Sequence, residues 1–90
     1  MRRVKVKIHG KVQGISFRAF VRNHAKKLNL NGFVKNLDDG TAEAVFEGED
    51  KSIEKILELC KKGSLLTNVN NLDVIEEEFK NEFEDFQVLY

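Results

Sequence analysis

The segment that decides the fold is HGKVQGISFR, residues 9–18. It joins a run of alternating residues to a run with helical spacing. In the alternating run, Val4, Val6 and Ile8 face one side and charged residues face the other. This alternation predicts a strand over residues 3–9 with one buried face. The segment is therefore a strand-to-helix connection, and the elements that follow it determine the topology.

The first helix is predicted to begin with Ser16 as its N-cap and to end near Leu30. Its apolar residues recur on one helical face: Phe17, Phe20, Val21, Ala25 and Leu28. Two strand-like runs follow, residues 33–37 and 41–48, and an Asp-Asp-Gly turn at residues 38–40 joins them. A short turn of this type between two strands is typical of a β-hairpin.

A second helix is predicted after the hairpin, with Asp50 as its N-cap and Gly63 just past its end. Its apolar stripe comprises Ile53, Ile56, Leu57 and Cys60. A strand around Leu72 and Val74 and a short strand at residues 86–89 complete the chain.

The order βαββαβ plus a short C-terminal strand predicts an α+β fold, a ferredoxin-like α/β sandwich. We expect an antiparallel sheet with two helices on one face and solvent on the other. The first and third strands should be central neighbours. A chain of 90 residues is long enough for one domain, so residues 1–90 are expected to form a single domain.

Composition narrows the function classes. Fifteen basic residues balance fifteen acidic ones, so net charge favours neither nucleic acid nor an anionic membrane as a partner. The single cysteine, Cys60, excludes an intramolecular disulfide and a cysteine-rich zinc site. No apolar run approaches the ~20 residues that span a bilayer, and the charged N-terminus is unlike a signal peptide. We therefore expect a cytoplasmic protein.

We call residues 10–18 the anion loop, because their types suit a phosphate. Gly10 and Gly14 permit backbone angles that turn successive N–H groups inward, and the helix that follows adds further N–H donors. Arg18, in the first helical turn, can place two N–H bonds on one phosphate. Spacing alone leaves a second interpretation open, in which the glycines form an ordinary turn and Arg18 is a solvated surface residue.

The anion loop, GKVQGISFR, resembles the first signature of the acylphosphatase family. The second signature is similar to Gly-Phe-Val-Lys-Asn at residues 32–36, followed by the turn at 38–40. Residues 83–88 resemble the family's closing aromatic strand. Two departures occur: Ile15 stands where the family usually has valine, and Ser64 follows Gly63 where the family has proline.

The resemblance implies hydrolysis of the carboxyl–phosphate bond of a small acyl phosphate, with no metal or organic cofactor. It implies that Arg18 grips the phosphate and that Asn36 orients the attacking water. By residue type alone, Asn36 would be a turn former. The phosphate-binding amides would be those of Val12, Gln13, Gly14, Ile15 and Ser16. Inorganic phosphate would be both product and inhibitor, and we expect a monomer. The acyl group stays open.

Two non-catalytic alternatives share the fold: an RNA-binding module and a ligand-sensing module. The alternation places four charged residues on the open face of the central strands: Lys5, Lys7, Glu43 and Glu47. RNA binding needs aromatic residues there, so we predict no nucleic acid partner. His9 is expected on the solvated face and His24 on the apolar side of the helix, so neither is predicted to be an acid–base residue.

Overall fold

A computed structural model describes residues 1–64 and 67–89 of the chain. The elements are, in order, β1 (Arg2–Lys11), α1 (Ile15–Lys27), β2 (Asn31–Asn36), β3 (Ala42–Gly48), α2 (Asp50–Lys62), β4 (Asn68–Glu77) and β5 (Phe86–Leu89). Each predicted helix and strand is therefore present, in the predicted order. The ferredoxin-like α+β sandwich is confirmed.

The five strands form one sheet in the order β4-β1-β3-β2-β5. The predicted central neighbours β1 and β3 are adjacent and antiparallel, as are β1 with β4 and β2 with β3. The prediction of an antiparallel sheet is wrong at one edge, because β5 runs parallel to β2. Since β4 ends at the end of the sheet where β2 begins, residues 78–85 cross along that end, and β5 starts beside the start of β2.

One hydrophobic core lies between the helices and one face of the sheet. The alternating residues predicted to be buried in β1 are fully buried, and they pack with the apolar faces of both helices. The main contributors are Val4, Val6, Ile8, Phe17, Val21, Val34, Phe46, Ile53, Ile56, Cys60 and Phe86. Burial of this apolar surface is the dominant force that holds the helices on the sheet. Neither helix in the described ranges is long and apolar enough to cross a membrane.

Helix α1 begins and ends earlier than predicted. Its N-cap is Gly14 and not Ser16, because the chain is already helical at Ile15. The helix ends at Lys27, since Asn29 adopts a left-handed conformation with φ 57°. The N–H of Leu30 then donates to an earlier helical carbonyl, and its side chain enters the core.

Helix α2 is close to its prediction at both ends. It begins at Asp50 with Glu49, and not Asp50, as the N-cap residue. Asp50 lies in the first turn, where a carboxylate favours the helix dipole. Gly63 follows the helix with φ 73°, and its N–H donates to the carbonyl of Leu59 at 2.9 Å. The predicted glycine stop is confirmed.

The open face of the sheet is partly covered, contrary to expectation. Glu47 was expected to face solvent near Lys5, but it is 3% exposed and pairs with Arg3, which is 8% exposed. The N–H groups of Lys80 and Glu82 donate to Glu47 at 3.0 and 3.2 Å. The connection between β4 and β5 therefore lies across this face.

Candidate active site

The anion loop leaves β1 and enters α1 through two glycines that serve different purposes. Gly10 has φ 136°, and a Cβ atom there would clash with the carbonyl oxygen of Asn68 in β4. Gly14 has φ 108°, and a Cβ atom there would meet nothing within 4 Å. Gly10 is thus needed for strand packing, whereas Gly14 borders open space. Between them, the fully buried Val12 anchors the loop in the core.

Backbone N–H donors gather beside this open space. No hydrogen bond between residues of the described ranges uses the N–H of Gln13 or Gly14. The N–H groups of Ile15, Ser16 and Phe17 belong to the first turn of α1, where a helix offers them no acceptor. That first turn contains no acidic residue. The loop can therefore bind an anion with backbone groups alone.

Arg18 lies against the same loop. Its Nε donates to the carbonyl of Gly14 at 3.3 Å, and its Nη1 donates to the carbonyl of Leu89 at 3.5 Å. These two bonds hold the half-buried side chain between the start of α1 and the end of β5. The positive charge of Arg18 is thereby kept beside the N–H donors of the loop.

Asn36 is brought to this region by the register of the sheet. Asn36 pairs with Ala42, and Ala42 pairs with Ile8, so Asn36 lies at the end of the sheet where β1 leads into the anion loop. On its other side, β2 pairs with β5 through Leu89, the residue whose carbonyl accepts from Arg18. The two residues that the resemblance paired, 18 positions apart in sequence, therefore lie at one end of the sheet.

The side chain of Asn36 carries an unusual feature. Its Oδ1 atom is buried and has no hydrogen-bond partner among the described residues. A buried acceptor without a donor costs about 1–3 kcal/mol, so most such atoms in proteins are paired. Asn36 thus keeps an acceptor that no donor of the described residues uses.

Gln13 ties the anion loop to the β2–β3 hairpin. Its Nε2 donates to the carbonyls of Leu37 at 3.3 Å and Thr41 at 3.1 Å. From the sequence, Gln13 is predicted to contribute only its backbone amide, so this side-chain bridge was missed. No sequence signal could have found it, because the bridge depends on which loop the hairpin approaches in space.

The hairpin turn is itself held in shape by Asp39. Its Oδ1 accepts from the N–H of Thr41 at 3.0 Å and from the Thr41 hydroxyl at 2.5 Å. Lys7 pairs with the other carboxylate oxygen at 3.0 Å. The hydrogen bonds from Thr41 and then the Lys7 ammonium hold the pKa of Asp39 well below its usual range. Asp39 therefore stays ionised and keeps the turn rigid beside Asn36.

Other reactive side chains are engaged elsewhere. His9 contacts Asp73 at 2.8 Å, and His24 lies edge-on to the Phe20 ring. Burial raises the pKa of Cys60 to about 12, so its thiol stays protonated. Within residues 1–64 and 67–89, no group of three or more His, Cys, Asp and Glu side chains is placed to hold a metal ion.

The fold and this arrangement define a class of protein: a small α/β sandwich with unused backbone N–H donors, among the described residues, in the loop between its first strand and first helix. Comparison with known proteins specifies it further. The sequence model of the acylphosphatase family matches residues 4–88. An acylphosphatase of Syntrophus aciditrophicus is 44% identical over 90 residues, which is 100% of this chain and 94% of the relative. An acylphosphatase of Syntrophobacter fumaroxidans is 42% identical, covering 99% of this chain and 92% of the relative.

A solved structure agrees with these sequence relatives. The crystal structure of acylphosphatase from Bacillus subtilis superposes with a TM-score of 0.95 at 34% identity, covering 100% of both chains. The chain belongs to the acylphosphatase family. It is accordingly a hydrolase that acts on acyl phosphates, as the resemblance of its two signatures implied.

Proposed function

We propose that this chain hydrolyses the carboxyl–phosphate bond with Arg18 and Asn36 as its catalytic residues. The proposal rests on the buried Oδ1 of Asn36, which has no hydrogen-bond partner among residues 1–64 and 67–89. It lies at the end of the sheet that also holds Arg18 and the N–H groups of Gln13 and Gly14. An anion site and a water acceptor lie at the same end, as hydrolysis of a phosphorylated substrate requires.

The phosphoryl group binds in the anion loop in this proposal. Its oxygens accept hydrogen bonds from the guanidinium of Arg18 and from loop amides. Those amides belong to Val12, Gln13, Gly14, Ile15 and Ser16. Donors fixed by the fold stabilise the charge that spreads over the equatorial oxygens in the transition state, at little reorganisation cost.

Water attacks the phosphorus atom while the bond from phosphorus to the acyl oxygen breaks. Asn36 Oδ1 accepts a hydrogen bond from the water and so directs the water oxygen at phosphorus. The products are a carboxylate and dihydrogen phosphate, because the second proton passes to a phosphoryl oxygen. Since a carboxylate is a weakly basic leaving group, the reaction needs no strong general base.

We further propose that residues 1–90 act as a single domain and a monomer in the cytoplasm, with inorganic phosphate as product and inhibitor and with no nucleic acid or membrane partner. A monomer suffices for this site, because Gln13, Arg18 and Asn36 lie at one end of the sheet within a single copy of the chain. The absence of an RNA partner is supported by the covered open face, where Phe83 packs against Phe33, the aromatic residue that β2 places there.

The test is hydrolysis of benzoyl phosphate in the presence of EDTA. Arg18→Ala and Asn36→Ala are each expected to reduce kcat/KM by at least about 100-fold, as for loss of one main donor or orienting group. The wild type should keep its activity in EDTA, because the loop and Arg18 supply the positive potential themselves.

Two matched variants serve as controls. Lys26→Ala removes a cation from the same helix, two turns beyond Arg18, and Asn31→Ala removes an amide from the start of the same strand. Both should retain activity within about threefold. An inactive wild type, or full activity in Arg18→Ala, would contradict the proposed mechanism.

A further inference from the structure

A small cavity adjoins Arg18 where α1 meets β5. Its volume is about 60 Å³, and its lining residues are Ile15, Arg18, Ala19 and Arg22 from the helix and Val88 from β5. The helical residues share one face, since they are spaced three or four positions apart. At roughly 10–15 Å³ per water, the cavity has room for a small group such as a carboxylate.

Two arginine side chains line this cavity. Arg18 and Arg22 are separated by four positions on α1, an arrangement in which like charges repel. The hydrogen bond that Arg22 makes goes to the neutral Oδ1 of Asn23 at 3.4 Å. No carboxylate of the described part of the chain lies within 4.0 Å of Arg22, whereas Lys26, one turn later, pairs with Asp85 at 3.4 Å. The guanidinium of Arg22 therefore borders the cavity without a carboxylate from the described residues, and an anionic ligand could pair with it.

The walls of the cavity are apolar where they are not cationic. Ala19 and Val88 line it, and Ile15 at its rim is 70% exposed, an unusual fraction for a large aliphatic side chain. An apolar wall between two guanidinium groups suits a short hydrocarbon spacer that carries negative charge at both ends.

We propose that Arg22 is a specificity-determining residue that binds a carboxylate on the acyl part of the substrate. The inference rests on the proposed function, in which the phosphoryl group lies at Arg18. One helical step of four residues rises about 6 Å. That offset matches an acyl phosphate made from a short dicarboxylic acid, with its phosphoryl group at Arg18 and its distal carboxylate at Arg22. Such substrates are preferred over acyl phosphates with an uncharged acyl group.

The kinetic test compares succinyl phosphate with acetyl phosphate at constant ionic strength. Arg22→Gln is expected to reduce kcat/KM for succinyl phosphate about tenfold, through KM, as for loss of one charge-assisted bond. For acetyl phosphate the change should stay within about twofold. Lys26→Gln, the same charge change one turn away, should leave both substrates within about twofold. Arg22→Lys should restore part of the preference, since it keeps the charge and loses the planar fork.

A binding experiment separates this inference from the proposed function. Calorimetry with the non-hydrolysable 4-phosphonobutanoate and with butylphosphonate measures the contribution of the carboxylate without turnover. If 4-phosphonobutanoate binds the wild type more tightly than butylphosphonate does, and Arg22→Gln removes the difference, the inference is supported. This holds even if neither acyl phosphate is hydrolysed, since absence of hydrolysis would overturn only the proposed function. Equal binding of the two phosphonates, or equal kinetic losses on both substrates in Arg22→Gln, would overturn the inference.

Discussion

The two ends of the sheet differ in how completely their polar groups are hydrogen-bonded. At the end where β1 begins, Arg3 donates to Glu47 at 3.2 Å, to Glu77 at 2.8 Å and to Glu82 at 2.5 Å, and its guanidinium lies over the Phe83 ring. We call these four charged residues the Arg3 cluster. Burial alone would lower the pKa of Arg3, but its bonds to the three carboxylates outweigh burial and raise that pKa. The Arg3 guanidinium thus finds its carboxylate partners within the cluster.

At the opposite end, three polar groups lack such partners within the described residues. The N–H groups of Gln13 and Gly14 are unused within the described residues, and the Oδ1 of Asn36 is buried there without a donor. Arg18 lies at the same end and donates to the carbonyls of Gly14 and Leu89. At the end where β1 begins, charged side chains therefore hold the β4–β5 connection in place. The other end leaves the N–H groups of Gln13 and Gly14 and the Oδ1 of Asn36 without a hydrogen-bond partner among the described residues.

The largest expected effect comes from removing one arginine at each end. Arg3→Met leaves three carboxylates together, one of them buried, and should reduce the free energy of unfolding by about 3 kcal/mol. Its kcat/KM per folded molecule should stay within about twofold. Arg18→Ala should do the reverse, with stability within about 0.5 kcal/mol of the wild type and activity reduced at least about 100-fold. Urea unfolding and benzoyl phosphate hydrolysis measure the two quantities.

The comparison would fail if both variants lost stability and activity together. In that case the two ends of the sheet would be one energetic unit. A variant that keeps the charge, Arg3→Lys, serves as the control and should lose less stability than Arg3→Met, because it retains a cation among the carboxylates.

Local patterns were sufficient to predict most of the fold. Alternation located β1, the Asp-Asp-Gly turn located the β2–β3 hairpin, and Gly63 marked the end of α2, because each signal lies within a few residues. The parallel pairing of β5 was missed, since it depends on where residues 78–85 cross the sheet. Glu47 was misplaced for the same reason: alternation identifies its face but not the segment that later covers that face.

The candidate site could be predicted only in part. The glycines and Arg18 indicate an anion loop by local chemistry, but nothing local connects that loop to Asn36. The connection follows from the register of three strands, and before the structure it rested on the family resemblance alone. The side chain of Gln13 gave no signal, because its acceptors are backbone carbonyls 24 and 28 positions away.

The next effect distinguishes the two glycines of the anion loop. Both have positive φ, so alanine at either position adds strain of about 1–2 kcal/mol. Gly10→Ala also forces β1 and β4 apart and should therefore lose the larger amount of stability, at least about 2 kcal/mol. Gly14→Ala should stay near the strain cost alone, yet its Cβ enters the space assigned to phosphate and should weaken phosphate inhibition. Equal losses of stability would contradict the distinction between a packing glycine and a site glycine.

Phosphate should stabilise the folded chain by binding at the Arg18 end of the sheet. At ten times its dissociation constant, phosphate should raise the free energy of unfolding by about 1.4 kcal/mol, because it binds the folded state alone. Arg18→Ala should lose this gain, and Arg3→Lys should keep it. Thermal unfolding in phosphate and in sodium chloride of equal ionic strength measures the difference. A gain that persists in Arg18→Ala would place the phosphate elsewhere.

The smallest expected effect concerns acid pH at the Arg3 cluster. The hydrogen bond from Arg3 lowers the pKa of Glu77 below its ordinary 4.5, so ionised Glu77 contributes stability above that pH. The contribution declines as the pH falls through the lowered pKa, because the unfolded chain takes up the proton first. For a pair with this exposure we expect about 0.5 kcal/mol.

Glu77→Gln should therefore flatten the acid side of the stability profile between pH 5 and pH 3, a window of about two units around the unperturbed value. Glu78→Gln is the matched control, since the exposed Glu78 forms no ion pair within residues 1–64 and 67–89 and should leave that slope unchanged. An acid slope that both variants share would show that the Arg3 cluster does not hold its charges more tightly than the rest of the surface.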